Sequence, residues 1–126
     1  MKYAIYQIRL TDAQIDRINE TQSFESVPAK KAKIDMEMDF AGHKIGGLAY
    51  DAFVVNNYYT HVANIEAASA NEVFHIGNMG PEESIERLSQ MHSISVGDVL
   101  VDEEGQCIVV APIGFVGFSH DWRLAA

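Results

Sequence analysis

The chain has 126 residues, 48% of them hydrophobic and 21% charged, which is the composition of one folded domain over residues 1–126 and excludes a mostly disordered chain. Eighteen acids against nine bases give a net charge of −9, which argues against direct binding of nucleic-acid phosphates, because that needs clustered Lys and Arg. A single cysteine rules out an internal disulfide, and no run approaches the ~20 apolar residues of a membrane span.

Residues 1–5 turn polar too early for a secretory signal, so a cytoplasmic protein without membrane association is expected. Residues 2–10 alternate loosely and are rich in Tyr and Ile, which predicts a strand. Thr11 is placed to cap a short helix, with Gln14 as its capping-box partner and Ala13, Ile15 and Ile18 as a narrow apolar face. Pro28 suits the first turn of a second helix, in which Ala32, Met36 and Phe40 recur every four residues. Two features oppose that helix. Lys30, Lys31 and Lys33 precede Asp35, Glu37 and Asp39, the reverse of what the helix dipole favours, and residues 34–40 alternate apolar and polar at every step. A strand is therefore expected over 34–40, followed by turns at Gly42, Gly46 and Gly47 around a short hairpin-like segment.

Residues 58–65 read as a strand and residues 67–76 as a short helix closed by Gly77-Asn78. Met79-Gly80-Pro81-Glu82-Glu83 has the pattern of a helix start, with Ile85, Leu88 and Met91 facing inward. Residues 95–102 and 106–111 predict a hairpin about Glu103-Glu104-Gly105, and a last short strand follows Pro112 over residues 113–118. Strands and helices are segregated. The fold class expected is α+β, a mainly antiparallel sheet with a C-terminal hairpin packed against two or three short helices.

Little of the usual catalytic chemistry is spelled out. His43, His61, His75, His92 and His120 lack the close spacing of a zinc motif, so no metal and no cofactor is expected. His61 and His75 are expected at the rim of the core. Cys107 opens an apolar run beside acids, which predicts a buried, inert thiol. Residues 42–47 are glycine-rich without phosphate-loop spacing, and Ser93 and Ser95 do not form a nucleophile elbow. Tyr58, Tyr59, Phe115, Phe118 and Trp122 are candidate interface anchors, but alternate members of such runs usually face the core.

The charge is unevenly placed. Residues 1–63 hold eight acids and seven bases, whereas residues 64–126 hold ten acids against only Arg87 and Arg123, a balance of −8. A solvated surface would account for that, and so would an acidic face that steers a partner. The candidate contacts are Glu82, Glu83, Glu86, Asp102, Glu103 and Glu104.

The stretch Ser93-Ile94-Ser95-Val96-Gly97-Asp98-Val99-Leu100-Val101, followed by Gly105, Val109-Val110 and Gly114-Phe115, resembles the "SxSVGDV … GF" signature of YodL-like domains. Val73-Phe74-His75-Ile76-Gly77-Asn78 with Pro81 is similar to the family's preceding helix segment, and residues 3–8 to its opening strand. The match is good over residues 73–118 and loose before them. In physical terms the signature is structural: Ile94, Val96, Val99 and Val101 pack the sheet, Gly97-Asp98 bends it, Gly114 permits close approach and Phe115 fills the core. The resemblance implies a protein of phages, plasmids or integrative elements, acting in conflict between incoming DNA and host defence. It transfers no catalytic residue.

Three readings follow. The first is a non-enzymatic accessory protein that binds a host protein with a basic surface, in counter-defence against a nucleic-acid-processing or restriction-type complex. The second is a small enzyme or nucleotide- or metabolite-binding protein, with His75, His92, Asp98 and His120 as polar groups of a pocket between sheet and helices. The third is a structural or oligomer-forming module, for which a symmetric homodimer without another partner would be the sign.

Overall fold

The computed structural model of the chain describes residues 1–118. Its strands are β1 (Lys2–Ile8), β2 (Tyr59–Glu66), β3 (Ile85–Arg87), β4 (Val99–Val101), β5 (Cys107–Val110) and β6 (Phe115–Phe118), and its helices are α1 (Asp12–Thr21), α2 (Pro28–Glu37), α3 (Ile45–Tyr50) and α4 (Ala70–Met79). The strands form one six-stranded sheet in the order β3-β2-β1-β4-β5-β6, each neighbouring pair antiparallel. The fold is α+β, as expected, with the β4–β5 hairpin in place and four helices among the described residues. None of those helices is long and apolar enough to cross a membrane.

Helices cover both faces of the sheet. On one face Val73 and Ile76 of α4 pack with Tyr3, Ile5, Ile65 and Leu100. On the other, Ala29 and Met36 of α2 and Ile45 and Ala49 of α3 pack with Ile8, Tyr59, Val99 and Val109. The central strand β1 is therefore apolar in both directions. Its pairing with β2 shifts between Ile5 and Tyr6: Ile5 faces Ala63 and Tyr6 faces His61, which leaves Val62 as an extra residue. The freed Val62 carbonyl accepts hydrogen bonds from the Leu88 and Ser89 amides, tying down the segment after β3.

Several local expectations are corrected by tertiary context. Residues 34–37 belong to α2 and not to a strand. Ala29, Ala32 and Met36 make its inner face at helical spacing, and the lysines that oppose the dipole pair forward, Lys31 with Asp35 at 2.8 Å and Lys33 with Glu37 at 3.7 Å. Gly46 and Gly47 lie inside α3 rather than in turns of a hairpin. Asp39 caps that helix, its Oδ2 accepting from the amides of Lys44 at 2.8 Å and Ile45 at 2.7 Å.

The helix at 67–76 starts later and runs through Gly77-Asn78 to Met79, with Gly77 required inside it for close packing, since a side chain there would collide with Ile94, 2.3 Å from its Cδ1. The helix start at Pro81 yields one 3-10 turn, Glu82–Ser84, before Ile85 pairs with Ile65 as an edge strand. An open strand edge outcompetes local helix signals there, and Leu88 is left exposed. The strand at 95–102 shortens to β4, since Gly97 adopts a φ of +93° and the chain turns. Gly114 is also a turn residue, with a φ of +73° and open space around it, not a point of close approach.

Candidate functional site

The sheet register gathers several acids of the second half at one end. Lys2 at the start of β1 faces Glu66 at the end of β2, Ile65 faces Ile85 at the start of β3, and Ala4 faces Val101 at the end of β4. Four neighbouring strands thus share an end at which Glu83, Glu66, Lys2 and Glu103 follow one another. A depression of about 380 Å³ lies there, lined by Lys2, Asn64, Glu66, Glu83, Ser84 and Glu86 among others.

The six candidate contacts differ in how free they are. Glu83, Glu86 and Glu104 are exposed, though Glu86 Oε1 accepts from Asn64 Nδ2 at 3.1 Å. Glu82 is engaged by Arg87 through both guanidinium Nε and a second nitrogen, the latter at 2.9 Å, and this pair holds the Glu82 carboxyl below its ordinary range. Glu103 Oε1 accepts from the Lys2 amide at 2.6 Å. Asp102 is occupied in the hairpin, its Oδ1 accepting from the amides of Glu104 and Gln106, both at 2.9 Å. Glu66 and Glu72 complete the group without having been anticipated. Glu66 holds the Met1 amine at 2.9 Å and raises its pKa, with Glu103 and Glu72 adding to the effect. Strand pairing reveals the membership of Glu66, which is far in sequence from the hairpin, and Glu72 joins from helix α4.

Behind the other end of β1 lies a buried polar cluster. Gln7 and Asp98 are both fully buried. Gln7 Nε2 donates to the His92 carbonyl at 2.9 Å and to Asp98 Oδ2 at 3.0 Å, and its Oε1 accepts from the His92 amide at 3.2 Å. Asp98 Oδ2 also accepts from the Ser95 amide at 3.0 Å. Desolvation raises the Asp98 pKa, opposed by the Ser95 amide, Lys33, Gln7 and His92. Tyr59 donates to the Gly97 carbonyl at 2.5 Å, and burial raises its pKa strongly. Asn78 clamps Ile94, its Nδ2 donating to the Ile94 carbonyl at 3.1 Å and its Oδ1 accepting from the Ile94 amide at 2.7 Å. The loop between β3 and β4 is thus held by the buried Gln7 amide and the half-buried Asn78 amide, which identifies Asp98 as a structural carboxylate.

Of the polar groups expected to line a pocket, His92 and Asp98 are joined by Gln7, which bonds the His92 main chain, not its imidazole, and the Asp98 carboxylate. His75 is exposed on α4, and His120 lies outside the described residues. His61 is half-buried, stacked on Tyr6 with ring centres 4.8 Å apart. Among the described residues no three potential metal ligands come together. Tyr59 is buried, while Tyr58, Phe115 and Phe118 are half-buried, and Trp122 lies outside the described residues.

Cys107 is buried, and burial with Asp102 nearby pushes its thiol up to about 11. Alkylation by iodoacetamide at neutral pH is expected to be at least about a hundredfold slower in the folded protein than in the urea-unfolded chain, because the thiolate is the nucleophile. Mass spectrometry over time checks this, and equal rates would show an accessible, ionisable sulfur.

Compared with known proteins, the chain matches no family model, no curated protein and no solved structure.

Proposed function

We propose that the protein is a non-enzymatic accessory factor of a phage or other mobile element that binds a host protein carrying a basic surface, in counter-defence. The observation that supports this reading is the gathering of Glu66, Glu83, Glu86 and Glu103 at one end of the sheet, with Glu72 and Glu104 beside them. The likeness of residues 73–118 to YodL-like domains supports the mobile-element setting. Like charges held together by a rigid sheet produce a directional field, which favours encounter with a positive surface and disfavours nucleic acid. Asp102 and Glu82 contribute charge but are committed to the hairpin and to Arg87, so the exposed glutamates carry the contact.

The test is a variant with Glu66, Glu83, Glu86 and Glu103 all replaced by Gln. Host proteins captured by the native chain at low salt are identified by mass spectrometry, and their association with both forms is timed. The variant is expected to associate at least about tenfold more slowly, with the difference shrinking as salt shortens the Debye length. A captured partner that binds both forms at the same rate would refute the electrostatic reading.

A further inference from the structure

Positive charge is unevenly placed, with seven of the nine Lys and Arg residues in the first half of the chain. Three of the nine Lys and Arg residues, Arg9, Lys30 and Lys33, line one cavity of about 300 Å³ together with His92 and the apolar side chains of Ile8, Leu10 and Ile15. No carboxylate is among its lining residues. Four parts of the fold build it: the exit of β1, helix α1, helix α2 and the loop pinned by Gln7. Lys30 and Lys33 are three apart on α2 and so share a face. His92 is placed by its two main-chain bonds to Gln7, and its Nδ1 lies 2.9 Å from the Ser93 carbonyl.

These cations are poorly compensated. The side chains of Arg9 and Lys30 have no hydrogen-bond or ion-pair partner among the described residues, whereas Lys31 and Arg87 are paired with Asp35 and Glu82. Lys33 Nζ donates to the Val96 carbonyl at 3.2 Å and lies 3.7 Å from Glu37. Of the carboxylates acting on Lys33, Glu37 is exposed and Asp98 is buried, where desolvation favours the neutral form. Lys30 also sits in the first turn of α2, which contains no acid, at the positive end of the helix dipole. Each of these terms makes the clustering of the cations costly, and a bound anion offsets all of them together.

We propose that this cavity binds a small phosphomonoester, with its dianionic head on Arg9, Lys30 and Lys33 and a compact apolar body against Ile8, Leu10 and Ile15. A phosphate dianion matches the two cations without partners among the described residues, Arg9 and Lys30, and offers the guanidinium fork two oxygens, whereas a carboxylate supplies a single charge. The volume is at the low end for small-ligand sites and too small for a dinucleotide. This site lies away from the acidic end of the sheet and stands independently of the proposed function.

Phenyl phosphate, inorganic phosphate and benzoate serve as probes, with calorimetry for affinity and amide NMR shifts for location. Phenyl phosphate is expected to bind saturably and to shift Arg9, Lys30, Lys33 and His92, with benzoate and inorganic phosphate each at least about tenfold weaker. Arg9→Gln and Lys30→Gln, tested singly and together, are expected to weaken it by about tenfold or more per site, and Lys44→Gln to leave it unchanged. Thermal midpoints confirm that the variants fold. Absence of saturation, benzoate binding as well as phenyl phosphate, inorganic phosphate binding as well as phenyl phosphate, or undiminished binding by both single variants would each overturn the assignment.

Discussion

Gln7→Ala is expected to lower the unfolding free energy by about 3–5 kcal/mol, the range for a buried polar residue whose loss orphans several partners and leaves a cavity. Gln7 is fully buried on a central strand and makes three hydrogen bonds, to both main-chain groups of His92 and to Asp98. Alanine would leave the His92 amide and carbonyl unpaired and strip the Asp98 carboxylate of one of its two donors. Urea unfolding measures the loss, and hydrogen exchange at the His92 and Ser95 amides should rise with it. A change under about 1 kcal/mol would mean that water replaces these bonds readily and that the loop is not pinned as described.

Asp98 adds a pH signature to the same cluster. Its Oδ1 has no hydrogen-bond partner among the described residues, and desolvation raises its folded-state pKa above the unfolded value. By linkage, the stability conferred by the protonated form is complete below the unfolded pKa and is lost as pH rises through the folded one. The stability of Asp98→Asn relative to the native protein should therefore shift in favour of the variant as pH is raised from the acidic range toward neutrality. Removing Gln7, which helps to hold the charged form, should enlarge that shift. A pH-independent difference would show that Asp98 titrates alike in both states.

Met36→Ala is expected to cost about 2–5 kcal/mol, as for other buried methionines cut back to alanine. Met36 is fully buried between α2 and the sheet, with its sulfur 3.7 Å from the Tyr59 hydroxyl and its methyl beside Gly97. The neighbouring Met38 and Phe40 are 63% and 66% exposed, so alanine there should change stability by no more than about 0.5 kcal/mol. This contrast separates a helix from the strand that the alternation of residues 34–40 suggests. A strand would put Met36, Met38 and Phe40 on one face, and the three substitutions would then have comparable costs. Thermal or urea unfolding of the three variants decides it.

That segment illustrates how local pattern and tertiary context part company. Perfect alternation over seven residues is indistinguishable in the sequence from one side of a helix followed by an exposed turn, since both place Ile34 and Met36 among polar neighbours. What decides it is the inner face Ala29, Ala32 and Met36 finding Val99 and Val109 to pack on. The Pro81 segment failed in the opposite sense. Its helix-start residues are real, but Ile85 gains more by completing the edge of β2 than by continuing a helix.

Other features depend on near neighbours alone and were legible. The Thr11–Gln14 capping box forms with both of its hydrogen bonds, the hairpin turns at Gly105, and Cys107 is buried. Of the acidic group, Glu83, Glu86, Glu103 and Glu104 were visible from the charge count. Glu66 and Glu72 were not, because Glu66 joins through the pairing of β1 with β2 and Glu72 through the approach of α4 to the Met1 amine. The basic cavity was not visible at all. Arg9, the Lys30–Lys33 pair and His92 are far apart in the chain and surrounded by ordinary charge.

By itself the sequence determined the fold class, the capped first helix, the C-terminal hairpin and the concentration of negative charge in the second half, because each follows from residues within a few positions or from simple counting. The tertiary structure alone decided that residues 34–37 are helical, that Gln7 and Asp98 share a buried bond, that the glutamates converge on one strand end and that three cations meet in one cavity. Those depend on contacts between residues far apart in the chain, and strand register, which local pattern does not fix, chooses the partners.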